Sequence, residues 1–591
     1  MQTAETILNV IHERGRRGLP LERIYRQLFN RELYLLAYGR IYSNKGAMTP
    51  GATAETVDGM SQAKIETIIE QLRYERFRWT PVRRSYVEKK NSTKKRPLGV
   101  PTWSNKLLQE VIRLILEAYY EPQFSQYSHG FRPKRGCHTA LREIYDTWTG
   151  TAWFIEGDIR ACFDSLDHDI LLSIISKDIH DNRFIQLVSN LLKAGYLEDW
   201  KYNVTLSGCP QGSIVSPVLS NIYLHRLDKY VKEVLLPKYN RGKRRKYNPV
   251  YNNLISNHRY HVKQGHKEKA AKLRKQLHAM PSVDSNDPDY RRLRYIRYAD
   301  DWLLGFCGPR NEAEEIKQEL GQYLRETLKL ELSEAKTLIT HARTETARFL
   351  GYEIETIQED QLRNKKGHRT INGKIGLKVP RDVIKDKMKR YMRNGKAIHL
   401  AIRLHHTDFS IVEKYQQEYR GLVEYYRFAY NLHQFNHLRY IMEQSLTKTL
   451  AHKLKISVPK VYKRYKAVLE TPNGSRKGLK VVIEREGKKP LIATWGGISL
   501  KWRVDGVLDD NPPIVWNQRT EIVERLLADR CELCGATGNC EVHHIRALKD
   551  LKRKGRSEKP LWVQIMAARQ RKTLVVCKSC HYDIHAGRID K

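Results

Sequence analysis

Nowhere in the 591 residues do about 18 uncharged apolar residues run together, so no membrane span is expected. The opening MQTAETILNVIHERGRRGLP lacks the apolar core of a signal peptide, and its acidic residues argue against a transit peptide. Internal repeats are absent. Cysteine is scarce over most of the chain: of nine, five (531, 534, 540, 577, 580) fall in the last 61 residues. That clustering speaks against a disulfide framework and for a metal site in a reducing compartment, either cytoplasm or an organellar matrix. Acidic residues are too few to balance the basic ones. With 66 Asp and Glu against 106 Lys and Arg, the net charge is +40, a surplus suited to a polyanionic partner such as nucleic acid. The length implies several domains.

What is present centres on aspartate. IRYADDWLLGF (296–306) reads as strand material, broken at its middle by Asp300 and Asp301. A short turn there sets two carboxylates side by side, at a cost in repulsion and lost hydration. Upstream, WFIEGDIRACFDSLDH (153–168) reads as a strand with Asp158 at its far end and Asp164 starting a turn or helix. Nucleotidyl transfer needs two magnesium ions about 3.5–4 Å apart. Magnesium prefers oxygen donors, so Asp158, Asp300 and Asp301 on neighbouring strands form a candidate cage. The bland alternative is an acidic turn capping a strand.

Further segments frame this cage. KKRPLGVPTWSNKLLQEVIRLILEAYYEPQF (94–124) begins as a basic loop and ends as an amphipathic helix, and SHGFRPKRGCHTAL (128–141) is basic and aromatic. LSGCPQGSIVSPVLSNIYLHRLD (206–228) has a Gly- and Pro-punctuated turn before a helix, suited to close backbone approach. Residues 237–276 hold thirteen Lys or Arg and one Glu, and read as a solvated, flexible insertion that attracts phosphates. In SLTKTLAHKLK (445–455), Leu446, Leu450 and Leu454 mark a core stripe. Lys448, His452 and Lys455 mark a basic stripe that either tracks a nucleic-acid backbone or is merely solvated. TPNGSRKG (471–478) reads as a linker, followed by strand-like KVVIE and LIATW.

RPLGVPT, HGFRP, GDIRACFD, GCPQGSIVSPVLSNIYL, RYADD, LSEAKTLITH and ARFLGYEI occur in an order that resembles the reverse-transcriptase blocks of group II intron-encoded proteins. The resemblance implies an α+β multidomain chain: a right-hand polymerase with fingers and palm, a helical thumb, and a small zinc-stapled HNH (ββα-metal) domain at the C-terminus. It implies a helical fingers extension over 1–80, fingers and palm over 81–375 with the basic insertion at 237–290, and thumb or maturase domain X over 376–475. A DNA-binding region at 476–525 and the nuclease at 526–591 complete the expected division. By the same resemblance Asp158, Asp300 and Asp301 are the catalytic metal ligands. Phe163 is the aromatic that would clash with a ribose 2′-hydroxyl, Gln211 lines the nucleotide pocket, and Lys89 and Arg96 contact the dNTP triphosphate. YRGLVEYYRFAYN (419–431) and SLTKTLAHKLKIS (445–457) resemble the family's thumb. They imply binding to the structured intron RNA as a ribonucleoprotein and help with its splicing.

At the C-terminus, Cys531/Cys534 and Cys577/Cys580 are two C-x2-C pairs suited to a tetrahedral zinc site. A purely structural knob would not need His543, His544, His581 and His585 beside it. The chemical reading is a single-metal nuclease, in which one histidine deprotonates water and others hold a divalent ion. The segment resembles the HNH endonuclease domain of group II intron proteins, which implies His544 as general base and His543 and His585, with His581 as a further candidate, as metal ligands. It departs at the middle asparagine, where Lys572 and Thr573 stand. Cys540 reads as a spare buried thiol. The implied whole is a reverse transcriptase, maturase and nuclease that nicks double-stranded target DNA for target-primed copying. The rival is a splicing cofactor with a zinc-stapled DNA-binding tail. Oligomeric state is left open.

Overall fold

The computed structural model describes all residues except 1, 89–94, 206, 210–211, 285–286, 360, 366–368, 473, 504–515, 517–518, 552–558 and 589–591. The architecture is mixed α and β. Its centre is a five-stranded sheet ordered Ile339–His341, Trp153–Asp158, Asp301–Cys307, Arg292–Tyr298, Ser128–His129. The strands pair antiparallel except for the last two, which run parallel.

The uninterrupted apolar run WLLGF reflects burial on both faces of this sheet. Trp302, Leu304 and Phe306 enter one core with the helices Trp103–Tyr120 and Ser216–Tyr230. Leu303, Phe154 and Ile296 enter a second core shared with the helices Asp408–Tyr425 and Phe435–Leu454. Gly157 is required where it stands, since a Cβ there would lie 2.0 Å from the Trp302 ring. The helix Trp103–Tyr120, expected to be amphipathic, is buried nearly all round. Its polar members are satisfied internally: Lys106 donates to the carbonyls of Gly46 and Thr49, and Arg113 pairs with Glu110 and Glu117.

Two expectations change. The basic stretch at 237–276 is solvated, but it is largely a helical hairpin, Pro249–Lys263 and Lys267–Ala279. Asn248 caps the first helix with Pro249 behind it, Gly265 turns the chain at φ 73°, and Lys, Ala, Leu and Gln favour the second helix. The linker expected at 471–478 is shorter. The Gly474 N–H donates to the Thr471 carbonyl at 2.9 Å, and Arg476–Arg485 is already a strand between Lys466–Leu469 and Lys488–Trp495. That sheet packs on the helix Asp408–Tyr425, with Trp495 against Tyr419 at 5.7 Å. Among the described residues no helix is long and apolar enough to cross a membrane.

Near the C-terminus, the strands Cys540–His544 and Thr573–Cys577 form a hairpin. A third strand, Met60–Ser61, joins it from the far end of the chain, pairing antiparallel with Val542 and Glu541.

Beneath the central hairpin lies a fully buried ion pair. Arg297 donates to Asp228 at 2.8 and 2.6 Å, and both side chains are wholly excluded from solvent. Removing one partner of such a pair strands the other charge, at a cost of about 3–5 kcal/mol. Asp228→Ala should therefore lower the unfolding free energy of the domain around this sheet by about 3–5 kcal/mol, read as a fall in its urea midpoint. Replacing the pair together, Arg297→Met with Asp228→Leu, should restore much of the loss; equal midpoints for the single variant and wild type would show that the pair contributes nothing.

Candidate active sites

In the central hairpin Tyr298 pairs with Asp301, leaving Ala299 and Asp300 as a two-residue turn. Such turns need positive φ, and Ala299 supplies it at φ 55°, at a cost of roughly 1–2 kcal/mol for an L-residue with a Cβ. Arg297 offsets this by donating to the Ala299 carbonyl at 2.7 Å, while the Ala299 N–H donates to His129 at 3.0 Å. On the neighbouring strand Asp158 lies directly opposite Asp301. Asp158, Asp300 and Asp301 are thus brought together, as their places in the sequence suggest.

Burial, then the charges of Asp300 and Asp158, push the Asp301 carboxyl well above the ordinary carboxylate range. Burial also raises Asp300, with Asp158 adding to it. A group of carboxylates that resist ionising together calls for a cation. Part of that need is met by Lys336, whose ammonium donates to Asp158 Oδ2 at 2.7 Å and is itself raised by that bond. The donor set is all oxygen, which fits hard divalent ions.

Arg96 is exposed on the strand Lys95–Val100, and its charge acts on Asp300 in the opposite sense to Asp158. Phe163, in the short helix Cys162–Ser165, has Phe131 at 6.3 Å. The Gly-rich turn is laced to this helix: Cys209 N–H donates to the Phe163 carbonyl at 2.7 Å and Gly208 N–H to Leu166 at 2.8 Å. A Cβ on Gly208 (φ 85°) would meet the Asp164 backbone at 2.7 Å, so glycine is needed for this approach. A pocket of about 260 Å³ lies between this turn and the strands Val82–Glu88 and Lys95–Val100, lined by Arg84, Gly99, Asp164 and Gly208. Lys89 and Gln211 lie outside the described residues.

The C-terminal domain carries two clusters. The sulfurs of Cys531, Cys534, Cys577 and Cys580 lie within 4.8 Å of one another. Cys534 and Cys577 are 3.7 Å apart, close to the roughly 3.8 Å edge of a tetrahedron with Zn–S bonds of about 2.3 Å. Burial opposes ionisation of Cys531, yet N–H groups of Cys534, Cys577 and Leu533 aimed at its sulfur hold it below the ordinary thiol value. This set can bind zinc. Cys540 is buried apart from it, its thiol pushed up to about 12 by burial.

The second cluster joins His543, His581 and His585 with Asp58, again within 4.8 Å. His581 and His585 are one turn apart on the helix Lys578–Ala586, which places both on one face. His544 points elsewhere. Its Nε2 is 3.4 Å from the Tyr38 hydroxyl, its ring packs beside the adjacent rings of Tyr38 and Tyr42, and burial pushes it down to about 4. Thr573, at the place of the missing asparagine, pairs with His544 across the hairpin and is held through its hydroxyl and carbonyl by Arg525.

Three family profiles match in chain order. One described as reverse transcriptase (RNA-dependent DNA polymerase) covers residues 87–354, one as type II intron maturase 373–482, and one as AI2M/AI1M-like, HNH endonuclease 531–581. The group II intron-encoded protein LtrA of Lactococcus lactis subsp. cremoris is 39% identical over 587 residues, spanning 95% of this chain and 95% of its own. The chain belongs to the group II intron-encoded proteins. The putative COX1/OXI3 intron 1 protein of Saccharomyces cerevisiae is 30% identical over 592 residues, 95% of this chain and 68% of its own length. Nuclear intron maturase 2, mitochondrial, of Arabidopsis thaliana is 24% identical over 549 residues, 81% and 70% of the two chains. This group II intron protein therefore combines reverse transcriptase, maturase and HNH endonuclease domains.

Sequence reasoning missed Asp58, Lys336 and Glu541 in the intron protein. Lys336 stands within LSEAKTLITH, where a lysine after an acidic turn was the available signal. Glu541 is two residues before His543, a strand's same-face spacing, and accepts from His581 Nδ1 at 2.8 Å. For the thiolate cluster, wild type should bind one equivalent of added Zn2+ tightly, and Cys580→Ser should lose most of that binding, read by metal analysis, and expose residues 531–588 to protease. Full zinc retention in that variant would remove Cys580 from the ligand set.

Proposed function

We propose that this group II intron protein binds its intron RNA as a ribonucleoprotein, nicks double-stranded target DNA, and extends the freed 3′-hydroxyl while copying RNA. In this reading residues 81–375 are the fingers and palm of a right-hand polymerase, with 1–80 extending the fingers. The helices from 376 onward form the thumb, and the sheet over 466–495 packs with them. The pairing of Asp158 with Asp301, with Asp300 at the adjoining turn, carries the reading.

Magnesium ions bound to these carboxylates would activate the 3′-hydroxyl and hold the triphosphate. The chain's own residues do the rest. Arg96 and Lys89 meet the triphosphate, Gln211 lines the nucleotide pocket, and the Phe163 ring excludes a 2′-hydroxyl. Lys336 pairs with Asp158 and offsets part of the acidic charge until the cations arrive. In the nuclease, His543, His581 and His585 would hold a divalent ion and His544 would accept the proton of the attacking water, while zinc on the four thiolates would staple the domain.

For RNA, a groove of about 600 Å³ between the helix Asp408–Tyr425 and the sheet beside it is lined by Arg420, Arg427, Lys480, Lys501 and Arg503 against two acids, Glu424 and Glu470. Its basic lining suits phosphate contacts and recognition by shape. Several aromatics of YRGLVEYYRFAYN serve as a joint: Tyr425 and Tyr426 donate to Leu350 and Gly351, and Tyr430 to Glu355. On the other helix Lys448 donates to the Ala397 carbonyl, and His452 stacks on His399 at 4.3 Å.

Primer extension on an RNA template tests the polymerase. Asp300→Ala should lower cDNA synthesis by at least ~1,000-fold, about 4 kcal/mol of transition-state stabilisation. A wild-type chain that makes no cDNA with any divalent metal would leave only the splicing-cofactor reading. Phe163→Val should admit ribonucleotides, and unchanged sugar discrimination would remove Phe163 from the gate. For the groove, Arg420→Ala should weaken intron RNA binding and flatten its log–log salt dependence by roughly 0.7–0.9 for each phosphate no longer neutralised; an unchanged slope would place the RNA elsewhere.

A further inference from the structure

The nuclease cluster contains one carboxylate that comes from outside the nuclease domain. Asp58 comes from the loop preceding Met60–Ser61, more than 480 positions away in the chain. Val57 is fully buried and anchors the loop. Gly59, at φ 74°, turns the chain into the strand, and its N–H donates to the Val542 carbonyl at 3.0 Å. Between them Asp58 points into the histidines. Its Oδ1 lies 3.4 Å from His543 Nδ1 and 3.3 Å from His581 Nε2, and its Oδ2 lies 2.8 Å from His585 Nε2. His581 and His585 present Nε2 to each other at 3.2 Å. Four donors around an ion at about 2.0–2.1 Å have tetrahedral edges of roughly 3.3 Å. The four separations just given, 2.8–3.4 Å, lie near that length, and all four donors fall within 4.8 Å of one another.

Two further observations indicate a cation at this point. His581 is committed through Nδ1 to Glu541, so in its neutral form Nε2 offers a bare lone pair to the centre of the cluster. Such a carboxylate behind a histidine is the usual support of a metal ligand. His543 is buried, and its ring nitrogens make no well-formed hydrogen bond: Nδ1 has only Asp58 Oδ1, at 3.4 Å. An unmet buried polar group costs about 1–3 kcal/mol, which coordination would remove.

A catalytic ion keeps one position open for water or substrate, whereas a structural ion is enclosed by protein donors. Three histidines alone would leave that opening. Asp58 stands in it, and at the same time His544 is buried with its Nε2 turned to the Tyr38 hydroxyl. We propose that Asp58, contributed by the N-terminal region, is the fourth protein ligand of the nuclease ion, and that in this docked arrangement it holds the nuclease latent until its carboxylate is displaced by the scissile phosphate. This rests on reading His543, His581 and His585 as the nuclease's ligand set.

The test uses the full-length chain with the thiolate site first filled by one equivalent of Zn2+, followed by titration with Co2+ alone. Tetrahedral Co2+ absorbs strongly in the visible, while octahedral Co2+ on the polymerase carboxylates absorbs weakly, so the two sites separate in the spectrum. Wild type should show the intense tetrahedral band. Asp58→Ala should lose most of it and bind Co2+ on the order of 10–100-fold more weakly, while nicking supercoiled plasmid about 10-fold faster with Mg2+. A wild-type band in Asp58→Ala would overturn the assignment, and a lost band with unchanged or slower nicking would overturn the latency. Asp58→Asn keeps an acceptor for the His544 N–H, now bonded to Asp58 at 2.7 Å, and should give the same pair of changes if Asp58→Ala fails to fold. Adding His544→Ala to Asp58→Ala should abolish nicking. Nicking that survives it would mean that the nuclease reading itself fails, whatever the Co2+ spectrum shows.

Discussion

One guanidinium holds the polymerase site in shape. Arg297 is fully buried and reaches Asp228, the Ala299 carbonyl, Ser128 Oγ at 2.7 Å and Asn221 at 3.2 Å. Tyr295 adds a second donor to Asp228 at 2.9 Å. The charge is expensive to bury and is kept by complete saturation of its donors. In exchange, two segments far apart in sequence, the helix Ser216–Tyr230 and the strand Ser128–His129, are fixed relative to the turn that carries Asp300. The strained backbone at Ala299 persists because its own carbonyl is one of the acceptors. Chemistry at the sheet edge is thus underwritten by an ion pair that no substrate touches.

Electrostatically the chain runs in two opposed directions. A surplus of +40 spreads over basic helices, the hairpin at 249–279 and the groove around Arg420, all suited to polyanions. At the heart of that field lie two acidic points, the aspartates of the central sheet and Asp58 among the histidines. Each is a place where a nucleic-acid phosphate would be repelled unless a cation intervenes. A basic surface gathers the polymer, and the acidic points make its reaction depend on divalent metal.

Legibility in the sequence follows the range of the interactions. Asp158, Asp300 and Asp301 are visible because each interrupts an apolar strand, and pairing of adjacent strands does the rest. The two C-x2-C pairs, the histidines near them and the spare thiol of Cys540 are visible for the same local reason. Asp58 is not, because VDG in a glycine-containing loop has no metal-ligand spacing to anything nearby. Lys336 escapes notice because a lysine in a turn reads as solvated. The insertion at 237–276 is legible through its charge, which reports solvation well and conformation poorly; Asn248 with Pro249 behind it is the stronger local clue. The boundary near 475 misleads for a related reason. Gly474 marks a turn, but the strand beyond it returns to the helices the chain had seemed to leave.

The two-residue strand Met60–Ser61 has a consequence for how the chain is made. It leaves the ribosome about 480 residues before the hairpin strand it pairs with. At roughly 5–20 residues per second this is a delay of about half a minute to a minute and a half. For that interval the strand is an unpaired edge, and its brevity limits what else can zip onto it. The nuclease hairpin, made last, meets a template that has already been waiting. A chain cut short after the maturase region would keep that edge bare for its lifetime, so the final sixty residues also serve as a cover for the first sixty.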